Sequence, residues 1–154
     1  MEQFDCVVIG GGMVGAASAL SLADLGLKVA LVEKEVEKNL SEYELIKQPF
    51  DLRVSAISIA SERLLSQLGA WQQIKLWRTC PYKRLAVWEQ ENSYTEFSAE
   101  DIKQEHLGHI VENHIIQLSL WQRIKMKETI HLFCPEELVS LDQSEDNVRV
   151  TLSH

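Results

Sequence analysis

Hydrophobic positions along the chain fall into short blocks separated by glycine or by charge. Phe4 to Ile9 is an apolar, β-branched run and predicts a fully buried strand. It ends at Gly10, Gly11 and Gly12. Met13 to Leu25, rich in Ala and Leu, predicts a helix closed by Gly26. Leu27 to Val32 predicts a second buried strand, ending at Glu33. Two apolar strands flanking one helix through short loops predict a right-handed βαβ unit with parallel strands.

The pattern then loosens. Lys34 to Asp51 is polar, with Pro49 near its end, and predicts a long loop with room for one helical turn. Arg53 to Ser58 is a small-residue stretch leading into a helix whose apolar face is Leu64, Leu65 and Leu68, ended by Gly69. Trp71, Ile74 and Trp77 continue at helical spacing. Leu85 to Trp88 and Tyr94 to Phe97 predict an antiparallel, partly exposed hairpin. His109 to Glu112 is expected to introduce a further helix, with Ile116, Leu120 and Ile124 at i, i+4, i+8 on one face. Ile130 to Phe133 predicts a third core strand, and Val148 to Leu152 another.

Composition narrows the class. Of 154 residues, 45% are hydrophobic and 25% charged, which is ordinary globular composition for one domain. The net charge of −8, without a basic cluster, argues against nucleic-acid partners. Cys6, Cys80 and Cys134 are odd in number and form no CxxC pair, so neither a disulfide framework nor a zinc site is suggested, and a cytoplasmic setting is expected. Cys6 reads as a small core residue. No apolar run reaches the length of a spanning helix, so no transmembrane segment is expected. Val7 to Ala23 is apolar, but Glu2 and Asp5 precede it where a signal peptide carries positive charge.

The residues that carry chemistry are Gly10, Gly12 and Gly15, spaced as GxGxxG between a predicted strand and a predicted helix. Gly10 permits a tight turn, Gly12 lets a pyrophosphate approach the backbone, and Gly15 lets the helix pack against the strand. The N–H groups and dipole of the helix start favour phosphate charge. Glu33, eighteen residues after Gly15, can accept hydrogen bonds from both hydroxyls of an adenosine ribose and would repel a 2′-phosphate, which argues against NADP here. These residues do not separate FAD from NAD, since both place an ADP half on the same scaffold.

Other candidates read more plainly. His106, His109 and His114 do not share a helix face at their spacing and read as polar surface or loop histidines, with no metal set completed. Trp71, Trp77 and Trp121 read as large apolar anchors, with Trp88 a mild exception in the hairpin. Ser55 and Ser58 read as capping or turn residues.

The run Asp5 to Gly15 (DCVVIGGGMVG) resembles the opening of flavin-dependent aromatic hydroxylases, and more specifically the ubiquinone-biosynthesis hydroxylases of the UbiH/UbiF/VisC/Coq6 group. Three further segments resemble that group: DLRVSAIS from Asp51 followed by LLSQLGAW from Leu64, PYKRLAVWE from Pro81, and LGHIVEN from Leu107 followed by Leu120 and Trp121. The resemblance implies an α/β fold: a Rossmann-like FAD-binding βαβ domain with a parallel core sheet and an antiparallel hairpin. Residues 1–154 would form the N-terminal part of an FAD-binding domain, with 80–108 contributing to a substrate-side layer.

The activity implied is hydroxylation of the aromatic ring of a polyprenyl phenol or quinol, with FAD as the oxygen-activating cofactor and NAD(P)H as electron donor. Gly10, Gly12, Gly15 and Glu33 would hold the ADP half of FAD. Arg53 would lie near pyrophosphate and flavin, and Asn113 beside the ribityl chain. The cofactor does the chemistry, so no catalytic side chain and no metal ligand is assigned. Partners implied are the prenylated aromatic substrate and other ubiquinone-biosynthesis proteins, with a peripheral position at the inner membrane.

The GADG-type segment and later Gly-Asp motif of the group do not occur, so the chain is expected to be an N-terminal fragment, incomplete relative to the family. Two alternatives remain. One is a non-catalytic ADP-binding or partner-binding module. The other is a different FAD- or NAD-dependent oxidoreductase sharing only the first βαβ unit.

Overall fold

A computed structural model describes residues 2–36, 47–89 and 93–153. Along the chain run β1 (Cys6–Ile9), α1 (Met13–Asp24), β2 (Val29–Val32) and β3 (Val54–Ser58). Next come α2 (Ile59–Gln67), α3 (Trp71–Trp77), β4 (Cys80–Tyr82), β5 (Arg84–Trp88) and β6 (Tyr94–Ser98). Then come β7 (Gly108–Glu112), α4 (Asn113–Ile124), β8 (Ile130–Phe133), β9 (Leu138–Gln143) and β10 (Val148–Leu152). Most of the expected Lys34–Asp51 loop, and the tip of the hairpin, lie outside the described residues. The chain divides into two compact units: Met1–Ser41 with Gln117–His154, and Glu42–Ile116.

In the first unit, β1, β2 and β8 form a parallel sheet in the order β1-β2-β8, with Cys6 opposite Val29 and Val29 opposite Ile130. The α/β class and the parallel core expected from the apolar blocks are what the chain adopts. The central strand β2 is buried at every position. Helix α1 packs on the sheet through Ala16, Ala19 and Ala23, small residues that allow a close approach, and through the large buried side chain of Leu20. It ends in a Schellman arrangement: Gly26 N–H donates to Ala23 O and Leu27 N–H to Leu22 O.

The expectation that β1 is fully buried is corrected. Cys6, Val7 and Val8 are half-buried and Ile9 is exposed. Among the described residues β1 pairs only with β2, so it is an edge, and an apolar edge strand looks the same in sequence as a central one. Val8 leans toward α1, whereas Val7, Ala30 and Val32 line a cavity of 740 Å³ with Phe133, Val148 and Val150. Strands β9 and β10 pair antiparallel as a separate exposed hairpin, of which the sequence pattern predicts only β10.

In the second unit, β7 lies between β3 and β4, antiparallel to both. Both segments lead into helices as expected, α2 from Ile59 and α4 from Asn113, but the sequence reading does not assign them as strands: Arg53 to Ser58 is a strand over most of its length, and His109 to Glu112 belongs to another. The reason is the pairing of polar side chains inside. His109 and Glu112 are both buried on β7, each with a partner, so the strand has no polar face to give a period of two. The helix begins only at Asn113, and Ile116, Leu120 and Ile124 are buried as their spacing predicts.

Leu65, Leu68, Trp71, Ile74 and Trp77 are buried, while Leu64 is 43% exposed. Ser58 caps α2 by accepting the Ser61 N–H. Strands β5 and β6 form the expected antiparallel hairpin, with Leu85, Val87, Trp88, Tyr94 and Phe97 exposed.

Gly15 shows how tightly α1 sits. A Cβ there would lie 1.9 Å from the Gly10 carbonyl oxygen and 3.5 Å from Val8 Cγ1. Backbone cannot yield as a flexible side chain can. Gly15→Ala is therefore expected to lower unfolding stability by about 1–3 kcal/mol, read as a reduced urea midpoint. An unchanged midpoint would show that the helix can shift away without cost.

Candidate cofactor site

In the first unit, the glycine turn joins β1 to α1. Gly10 has φ +99°, a left-handed conformation that an L side chain disfavours, and its N–H continues the ladder to Val32 O at 2.7 Å. Gly12 is the N-cap of α1, with φ −63° and ψ 176°. No side chain caps this helix start and no acidic residue lies in the first turn. A Cβ on Gly12 would meet nothing within 4 Å, so the backbone there faces open space. The helix thus presents N–H groups and the positive end of its dipole to that space.

Between these glycines, the Gly11 peptide is held on both sides. Its N–H donates to Glu33 Oε2 at 2.6 Å. Its carbonyl accepts from Trp121 Nε1 at 2.6 Å and from Gln117 Nε2 at 3.0 Å, both on α4. A Cβ on Gly11 would lie 2.6 Å from the Trp121 ring. Glu33 Oε1 also accepts the Glu35 N–H at 2.8 Å. A carboxylate offers about four lone-pair sites, so Glu33 retains acceptor capacity for hydroxyl donors.

Sequence reasoning misses Gly11 and Gln117 as site residues and takes Trp121 only as a buried anchor. Trp121 is buried, but its indole N–H also fixes the turn. A buried indole needs an acceptor, and that is the available signal. Gln117 carries none.

In the second unit, Arg53 and Asn113 come together at one end of the β3–β7 pair. The Asn113 N–H donates to Arg53 O at 2.9 Å. Asn113 Oδ1 accepts from Ser55 Oγ at 2.6 Å, which orients the amide and gives Ser55 a positioning contact rather than the turn role expected of it. The Arg53 side chain is exposed. Beneath them, Glu112 Oε1 accepts the Asp51 N–H at 2.7 Å and Oε2 faces Arg78 Nε at 3.5 Å. Buried charge is tolerated at Glu112 because it is paired.

The three neighbouring histidines part company. His114 Nδ1 lies 3.3 Å from Asp51 Oδ2, whereas His106 and His109 both meet Glu62. The reading of all three as surface or loop residues is corrected for His109, which is buried on β7 and edge-on to Trp71. A helix-face test does not apply to a strand and its preceding loop.

The Arg53 N–H, donating to Asp51 Oδ1 at 3.0 Å, and the His114 ring beside it hold the Asp51 carboxyl below its usual range. A carboxyl depressed in the folded chain adds stability above its ordinary value of about 3.9, and that stability is lost as pH falls through the lowered value. A carboxyl NMR titration should place Asp51 below about 3.9, and His114→Ala should move it upward. A wild-type value at or above the ordinary one would contradict the contacts described.

The family model for FAD dependent oxidoreductases matches residues 5–41, the segment that carries the turn and Glu33. The 3-demethoxyubiquinol 3-hydroxylase of Escherichia coli is 38% identical over 145 residues, covering 94% of this chain and 36% of that protein. The mitochondrial ubiquinone biosynthesis monooxygenase COQ6 of Danio rerio is 37% identical over 129 residues, covering 80% of this chain and 26% of that protein. The crystal structure of p-nitrophenol 4-monooxygenase from Pseudomonas putida superposes with a TM-score of 0.71 at 18% identity, over 96% of this chain and 36% of that one, which shows a shared fold. The chain spans about a third of the length of the first of these relatives. The chain is thus similar to ubiquinone-biosynthesis hydroxylases over their N-terminal part.

Proposed function

We propose that this chain supplies the ADP-binding half of an FAD site in an enzyme that hydroxylates the aromatic ring of a polyprenyl phenol or quinol, with NAD(P)H as electron donor. The observation that carries the cofactor assignment is Gly12. It opens onto free space at an uncapped helix start, directly beside a turn whose geometry is fixed by Gly10, Gly11 and Gly15. An anion such as a pyrophosphate is what that arrangement suits. Glu33 would accept the ribose hydroxyls. Arg53, with its exposed guanidinium, would pair with phosphate, and Asn113, oriented by Ser55, would hydrogen-bond the ribityl side.

When bound, FAD supplies electron transfer and oxygen activation; the chain's own residues bind and orient it. We assign the segment 80–108 to the substrate-side layer, because its hairpin exposes Trp88 (69%), Val87 and Phe97. A bilayer-dissolved prenyl substrate would favour a peripheral position at the inner membrane and contact with other enzymes of the pathway. Among the described residues no helix is long and apolar enough to cross a membrane. The 154 residues alone would hold cofactor without turnover, since most of the relatives' length lies outside the part they share with this chain.

The test is to add FAD to the purified chain, desalt, and record the visible spectrum. Retained bands at about 370 and 450 nm are expected of bound oxidised flavin. Gly12→Val should weaken FAD binding at least about tenfold, or about 1.4 kcal/mol, with the fold intact because its backbone angles suit any residue. Loss of stability equal to that of Gly15→Ala, or wild-type FAD affinity, would remove Gly12 from the site. NAD(P)H-dependent turnover of a prenylated phenol by this chain alone would contradict the half-site reading.

A further inference from the structure

We propose that Glu62, His106 and His109 form a binding site for a divalent first-row transition-metal ion of the zinc type. Strand pairing assembles it. The register of β3 against β7 sets Ile57 opposite His109 and Ser58 opposite Gly108. Ser58 caps α2, so the first turn of that helix, carrying Glu62, starts beside His109. His106 lies three residues earlier, and the Leu107 N–H between them is tied to Tyr82 O at 2.9 Å. Each of the three residues therefore projects from backbone that is anchored independently of a metal.

The donor atoms already converge. Glu62 Oε1 lies 2.5 Å from His109 Nδ1 and 3.1 Å from His106 Nε2, and the three ligand atoms all lie within 4.8 Å of one another. Tetrahedral zinc with bonds of about 2.0–2.1 Å separates its ligand atoms by about 3.3 Å; the Glu62–His106 pair is already near that spacing, and the Glu62–His109 pair would open slightly to reach it. Side-chain exposures of 12% for Glu62, 10% for His109 and 26% for His106 describe a sheltered site with one open side. The His106 and His109 rings meet edge to face at 4.6 Å, and Trp71 stands edge-on to His109 at 5.2 Å, which limits rotation of the inner ring.

Two imidazoles and one carboxylate suit zinc, cobalt, nickel or ferrous iron, whereas calcium and magnesium prefer all-oxygen sets. Three protein ligands leave a fourth position for water or another donor. Bound there, the ion would cross-link α2 to β7 and stabilise the second unit by mass action. The same atoms without metal form a hydrogen-bonded cluster in which Glu62 accepts from both rings, and the experiment separates the two states.

The chain, stripped with chelator and dialysed, is titrated calorimetrically with ZnCl₂, and melting is followed with and without the ion. One equivalent bound with a Kd of about 1 µM or tighter, and a raised Tm, are expected. Glu62→Gln and the more exposed His106→Gln should each weaken binding by more than about 100-fold, beyond what loss of an outer partner costs. Circular dichroism checks that both variants fold. His109→Ala is left aside because its strand is buried. Absence of stoichiometric binding by the wild-type chain would overturn the site. So would zinc affinity unchanged in folded His106→Gln, which would place the ion elsewhere, for instance on the cysteine thiols.

Discussion

One peptide group organises the first unit. The Gly11 N–H is taken by Glu33 from the end of β2, and its carbonyl by Trp121 and Gln117 from α4. A charge-assisted bond on one side and two side-chain donors on the other fix the plane of the turn before any ligand arrives. With Gly11 anchored, Gly10 turns out of β1 and Gly12 opens α1 toward free space. Gly15 then sits against the Gly10 carbonyl with no room for a side chain. The turn is held by residues far away in the chain, so a site that looks local in sequence depends on the whole unit being closed. Glu33 thus holds the turn through one carboxylate oxygen and the Glu35 N–H through the other.

The second unit solves a related problem differently. Its central strand β7 carries His109 and Glu112 in buried positions, where unpaired polar groups would be costly. Glu62 answers the first, and Arg78 with the Asp51 N–H answers the second. The Glu112 contact draws in Asp51, whose carboxylate then receives Arg53 N–H, and Arg53 O receives Asn113 N–H. Arg53 and Asn113 are thereby placed side by side by the same polar chain that makes β7 tolerable as a buried strand.

The features legible in sequence came from signals local to a segment. The apolar blocks marked β1, α1, β2 and β8. Helical spacing marked Trp71, Ile74 and Trp77 as one buried face, and the spacing of Gly10, Gly12, Gly15 and Glu33 pointed to the turn. The features that were not legible depend on partners distant in the chain. His109 to Glu112 reads as the approach to a helix until Glu62 and Arg78 are seen to neutralise its polar residues. Gln117 gives no signal until the Gly11 carbonyl is found beside it. His106 and His109 look unrelated to Glu62 because only the β3–β7 register brings them together. β1 reads as buried because periodicity reports apolarity, not whether a neighbour strand is present.

The most direct test of the turn as an ADP-binding half-site is a ¹H–¹⁵N NMR titration of the chain with ADP, following the Gly11 amide and the four indole N–H signals. Progressive shifts are expected at Gly11, the neighbouring turn glycines and the Trp121 indole, with the Trp71, Trp77 and Trp88 indoles unmoved. Shifts confined to those three indoles, or none at Gly11 and Trp121, would show that the nucleotide does not bind at the turn.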